Sequence, residues 1–108
     1  MKLKQVMELT GLCPVHLADE EVEVAAVYCG DLLSDVLAHI RPSSLWFTIQ
    51  GHQHVVAVAQ LRDVAGIVLV NGVAPDPQTV TKAKSQGVNV FGSDETSAAL
   101  CMKLAGRL

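Results

Sequence analysis

The chain predicts an α/β domain of three layers, a mostly parallel sheet of four to five strands with helices on both faces. Three observations carry this. Short apolar runs rich in β-branched or aromatic residues, "LWFTIQG", "GIVLVNG" and "VNVFG", alternate with segments of helical character. The segments between them have the length of about a dozen residues that a parallel crossover needs. Each run also closes on a glycine, as a tight turn from strand to helix does. Residues 1–108 are read as one domain: half are apolar and 18% charged, enough to bury a core.

The elements follow in order. "MKLKQVMELTG" sets Leu3, Val6 and Met7 on one helical face and stops at Gly11, so an amphipathic helix comes first. "CPVHL" follows as a brief strand, placed at an edge because Pro14 has no N–H for a central ladder. In "EVEVAAVYCG" the alternation of Glu21 and Glu23 with Val22 and Val24 passes into a continuous apolar stretch, the pattern of a strand running into a covered sheet. "GDLLSDVLAHIRP" puts Leu32, Leu33, Val36, Leu37 and Ile40 at helical spacing, with Asp31 as N-cap and Pro42 as stop.

"LWFTIQG" and "GIVLVNG" are the next two buried strands. The segment between them, "HQHVVAVAQLRDVA", has a valine content that suits a strand. It is read as a helix, because parallel strands need a crossover and its middle holds almost no polar residue. "APDPQTVTKAKSQG" is a more exposed helix, capped by Asp76, opened by Pro77 and ended at Gly87. "VNVFG" is a further strand. "SDETSAALCMKLAGRL" is the last helix, with Leu100, Cys101, Leu104, Ala105 and Leu108 on one stripe and Ser93 or Asp94 as cap.

Composition narrows the function. The net charge is -3 and the basic residues are scattered, without the Arg/Lys cluster and interleaved aromatics that track a phosphate backbone, so no nucleic acid is expected as partner. The first residues lack the apolar stretch of a signal peptide, and no apolar run reaches the ~18 residues of a membrane span. A cytoplasmic protein with no membrane contact is expected. Cys13, Cys29 and Cys101 are odd in number and outside any C-x-x-C spacing, which points to reduced, mostly buried thiols rather than a disulfide framework or structural zinc. No cofactor is expected.

The chemistry that remains lies at the turns. Gly30-Asp31, Gly51-His52, Gly72-Val73 and Gly92-Ser93 each end a strand, and open parallel sheets bind ligands at the carboxyl ends of strands, near helix N-termini. The expected ligand-binding set is Gly30, Asp31, Asp35, Gln50, Gly51, His52, Asn71, Gly72 and Ser93. It would take an adenine nucleotide or another small anionic ligand, with His52 and Asn71 as donors. The plainer alternative is that tight turns use glycine anyway and that a helix start attracts acids such as Asp31 and Asp35.

A second class is a small metal-binding or hydrolytic enzyme using the His52/His54 turn. Zinc would need a third ligand from Asp31, Asp35 or His39, and an H-x-H pair at a helix start points its rings in different directions. Ser34 lacks a G-x-S-x-G context, and Cys29 has no histidine placed by spacing to activate it. No G-x-x-x-x-G-K-[ST] cradle is present. No catalytic residue and no metal site are therefore assigned.

The stretches "GDLLSDVLAHI" and "LWFTIQGHQHVVAVAQLRDVAGIVLVNGVAPDPQTVTKAKSQGVNVFGSDETSAALCMKLAGRL" together resemble the DRTGG domain family, over nearly the whole chain from about Gly30 onward. At the signature positions the chain reads Gly51-His52-Gln53-His54 and Val70-Asn71-Gly72, and of the signature glycines the second is kept. The segment is similar to the N-terminal domain of HPr kinase/phosphorylase and to domains in some phosphotransacetylases and CBS-containing pyrophosphatases. The resemblance implies an accessory, dimer-forming regulatory module whose partner protein is unknown, with catalysis residing in other domains. Stand-alone members are associated with serine-kinase-like regulation or with redox and hydrogenase functions. A homodimer is expected, with Trp46, Phe47, Val55 and Val56 as apolar contacts, and neither ATP hydrolysis nor HPr phosphorylation is expected.

Overall fold

In the computed structural model, which describes residues 1–108, the chain runs α1 (Leu3–Thr10), β1 (Cys13–His16), β2 (Ala26–Cys29), α2 (Leu33–His39) and β3 (Ser44–Thr48). It continues through α3 (His54–Leu61), β4 (Gly66–Leu69), α4 (Pro77–Gln86), β5 (Val90–Gly92) and α5 (Ser97–Leu104). One five-stranded sheet has the order β1-β5-β4-β3-β2. Strands β2 to β5 pair in parallel, whereas β1 pairs antiparallel with β5 and its register shifts between Pro14 and His16. No helix is long and apolar enough to cross a membrane.

Strand periodicity divides the core in two. Leu45, Phe47, Val68 and Phe91 face one way, against Leu3 and Val6 of α1 and Leu100 and Leu104 of α5. Trp46, Ile67, Leu69 and Val90 face the other way, against Val36 of α2, Val55, Val56 and Ala59 of α3 and Ala83 of α4. Helices therefore cover both faces, two on one side and three on the other. The valine-rich segment is helix α3, as the crossover requirement predicts, and burial of its apolar side outweighs the β preference of valine.

Several expectations are corrected. The second strand starts at Ala26; Glu21 to Val24 lie outside it, touching Lys2 through the isolated Lys2–Glu23 bridge. It is an edge strand paired only with β3, so its side chains are half-buried or exposed. Asp31 does not cap α2: the cap position is Leu32, and the Asp31 carboxylate turns instead to accept from β3. On α2 only Val36 and, just beyond its end, Ile40 are buried, whereas Leu32 is 68% exposed, because a seven-residue helix over an edge strand has little to cover. Thr96 caps α5 in place of Ser93 or Asp94, its Oγ1 accepting from the Ala99 N–H at 3.1 Å. That helix ends at Leu104, which leaves Ala105 and Leu108 outside the stripe.

The thiols are not mostly buried: Cys13 and Cys29 are exposed and Cys101 is half-buried. Conversely Trp46, Phe47, Val55 and Val56 are fully enclosed core, so they cannot be the contact surface of a dimer.

Asn89, buried just before β5, has its amide fully used. Oδ1 accepts from the Ala18 N–H at 2.7 Å and the Asp19 N–H at 2.9 Å, and Nδ2 donates to Asp19 O at 3.0 Å and Ala65 O at 2.9 Å. Replacing it takes a partner from the buried Ala65 carbonyl and frees the more exposed Ala18–Asp19 backbone, so the cost comes mainly from the buried end. Asn89→Ala should lose roughly 1–3 kcal/mol of stability in a urea titration. A loss under about 1 kcal/mol would mean that water replaces the amide without penalty.

At the surface beside α1, Glu21 accepts from Lys4 Nζ at 2.9 Å and Lys2 Nζ at 3.0 Å. The Lys4 hydrogen bond first, then that of Lys2, hold the Glu21 carboxyl below the usual carboxylate range, and Glu21 in turn raises the Lys4 ammonium. A depressed carboxyl stabilises the fold above its ordinary value and loses that contribution as pH falls through the lower folded value. Glu21→Gln should thus melt slightly below the parent protein at neutral pH, with the gap closing as acid protonates the carboxylate below its ordinary range. A gap that persists in acid would trace the effect to packing instead.

Candidate functional site

The carboxyl ends of β2 to β5 lie at one end of the sheet, and the strands are adjacent there in chain order. Because α2, α3 and α4 all pack on one face, successive crossovers leave in the same direction and open no crevice between β2, β3 and β4. The departure changes side once, where β4 leads to α4 and β5 leads to α5 on the opposite face. That divergence is where a parallel sheet opens. A cavity of about 210 Å³ lies there, lined by Cys13, Gly72, Val73, Gly92, Ser93 and Asp94.

The expected site residues fall into three neighbourhoods. In the first, Asp31 Oδ1 accepts from the Thr48 hydroxyl at 3.0 Å and the Ile49 N–H at 2.9 Å, and Gln50 Nε2 donates to Asp31 O at 3.0 Å. Gly30 O accepts from Trp46 Nε1 at 2.9 Å, and a Cβ on Gly30 would meet the Tyr28 ring at 3.0 Å. Asp35 accepts from the Tyr28 hydroxyl at 2.7 Å and meets His39 Nδ1 at 3.1 Å. That hydrogen bond to Asp35 raises the Tyr28 phenol above its ordinary value, with burial adding to it. These groups brace the ends of β2 and β3 and are largely spent on one another.

The second neighbourhood is the histidine turn. Gly51 O accepts from the Asp76 N–H at 3.0 Å and from the Thr79 hydroxyl at 2.6 Å. A Cβ on Gly51 would stand 2.7 Å from Ala74 O, so glycine is required by the close approach of the chain leading to α4. Beyond it, His52 Nδ1 accepts from the His54 N–H at 3.3 Å, and the two rings meet edge-on with centroids 4.3 Å apart. The rings converge rather than point apart, because His52 lies before the first helical residue and folds back over it. No group of three or more His, Cys, Asp or Glu is placed to hold a metal ion.

Gln53, between the two histidines, lines an open cavity of about 450 Å³ with Pro77, Gln78, Thr81, Lys82, Ser85 and Gln86 of α4. This wall is polar throughout apart from Pro77. The sequence alone did not single out Gln53 and Lys82, because nothing in their spacing shows that α3 starts beside α4.

The third neighbourhood joins β4 to β5. The Asn71 N–H donates to Glu95 O at 3.0 Å and the Gly72 N–H to Ser93 O at 2.9 Å, with both residues at positive φ, 57° and 71°. Ser93 Oγ accepts from the Glu95 N–H at 3.1 Å. Of the expected residues, Gly72 and Ser93 line a cavity, the one of about 210 Å³; the others line none. Asp94 lines this corner, while the Glu95 carboxylate beside it accepts from Lys103 Nζ at 2.7 Å.

No family model matches the chain, and no curated protein matches it. Among solved structures, the chain is similar to the crystal structure of the CBS and DRTGG domains of the regulatory region of Clostridium perfringens pyrophosphatase, complexed with the activator diadenosine tetraphosphate. The TM-score is 0.72 at 10% identity, covering 95% of this chain and 45% of that one. The chain thus spans less than half the length of its structural neighbour, and what the two share is the fold.

Proposed function

We propose that this chain is a non-catalytic, ligand-sensing regulatory module of the DRTGG kind that binds an adenine nucleotide or similar small anion and acts on a protein partner in the cytoplasm. The observation that carries this reading is the fold likeness, at a TM-score of 0.72 over 95% of the chain, to a regulatory region solved with a nucleotide activator. Nothing of the pyrophosphatase activity is carried over.

The histidine turn is the proposed anion contact. His52 and His54 carry ring N–H groups that can donate to an anion, α3 begins there, and Lys82 lies across the cavity lined by Gln53. Asp31, which accepts from the Ile49 N–H and whose carbonyl holds Gln50, would position this turn from the β2 side. Titration calorimetry with adenine nucleotides at pH 6 and at pH 8 should give binding. His52→Ala should weaken it by roughly 1.5–3 kcal/mol, the worth of a charge-assisted hydrogen bond, and His54→Ala by less. Heat at neither pH for any nucleotide would end the ligand reading.

The same reading includes a homodimer. With the expected contact residues enclosed in the core, support for it comes from the family resemblance, which implies a dimer-forming module. Light scattering at micromolar concentration should return twice the chain mass of 11.5 kDa. A single-chain mass would count against it.

A further inference from the structure

Two of the three cysteines meet in space although 72 residues separate them. Cys29 ends β2 and Cys101 stands on α5, and their sulfurs are 3.6 Å apart. Strand alternation explains the meeting: Val27 packs on the α1/α5 side of the sheet, so Cys29, two residues on, points to the same layer, where Cys101 also packs. A disulfide needs about 2.05 Å between sulfurs, so the approach still to be made is about 1.5 Å. Cys29 is exposed and Cys101 half-buried, which leaves the pair open to a small reagent.

We propose that Cys29 and Cys101 form a reversible dithiol–disulfide site whose reaction partner is a low-molecular-weight disulfide of the glutathione class. One protein thiolate attacks a sulfur of the reagent, forming a mixed disulfide and expelling one small thiolate, which takes up a proton. The second protein thiol loses its proton and attacks the protein sulfur of that mixed disulfide, expelling the second small thiol. One S–S bond forms in the protein as that of the reagent is lost, and two electrons and two protons pass from protein to reagent. Excess small thiol reverses both steps.

Burial first, then the hydrogen bond to Cys101, push the Cys29 thiol up to about 11, so little of it is thiolate at neutral pH and exchange at Cys29 quickens as pH rises. Cys13 supplies an internal control. It lies on β1, at the far edge from β2 and roughly four strand spacings, or about 19 Å, away.

The test treats the full chain with glutathione disulfide, quenches with acid, alkylates and measures intact mass and linked peptides. The expected product has lost two hydrogens, carries a Cys29–Cys101 linked peptide and reverts with reduced glutathione. Cys13→Ser should keep this link. Cys29→Ser and Cys101→Ser, with folding checked by circular dichroism, should each abolish it and leave a glutathione adduct on the remaining partner. The proposal is overturned if Cys29 and Cys101 take up glutathione or alkylating reagent independently and no linked peptide forms.

Discussion

Strands β1 and β2 are consecutive in the chain yet occupy opposite edges of the sheet, and the rest of the fold depends on how the segment between them crosses. It must span about four strand spacings, roughly 19 Å. Leu17 to Ala25 can extend to about 30 Å at most, and the excess is taken up by a turn at Glu20 and Glu21, where the Glu21 N–H donates to Asp19 Oδ1 at 2.9 Å. Its polar backbone has to find partners along the way. Asn89 holds Ala18 and Asp19 from the sheet side, while the start of α1 donates from Leu3 to Val22 O and from Lys4 to Glu20 O, both at 2.9 Å. One set of bonds thus satisfies both a crossing loop and the unpaired N–H groups of a helix start.

With the crossing made once, at the amino ends of the parallel strands, β2 to β5 can be laid down in chain order with three crossovers on one face. The opposite face is closed by α1 and α5, the two helices that are not crossovers between parallel strands. This arrangement confines the opening of the sheet to the β4–β5 corner and brings the histidine turn against α4 instead of against a second strand end.

Much of this was legible because local patterns reported on burial. The glycine stops at Gly11 and Gly87, Pro14 at an edge, and the buried runs of β3 and β4 each follow from one residue's needs. The misread parts involve partners far along the chain. Glu21 to Val24 alternate like a strand, yet their alternation serves a segment lying between α1 and solvent. Asp31 stands where an N-cap belongs but finds a backbone N–H and a hydroxyl on β3, which sequence proximity cannot reveal. In the site, glycine turns were visible, but which turns share a corner depends on the faces their helices take. The meeting of Cys29 with Cys101 had no sequence signal other than the strand and helix faces on which each stands.

The two margins of the sheet are unlike in their capacity to recruit further backbone. On β1, Pro14 offers no N–H and the register breaks before His16, so an incoming extended segment would find an interrupted row of donors and acceptors. On β2, four consecutive residues pair in regular parallel register with β3 and contain no proline, so the outward row is continuous. Growth of the sheet by strand addition, whether in recognition or in aggregation, is thereby biased towards one side of the molecule.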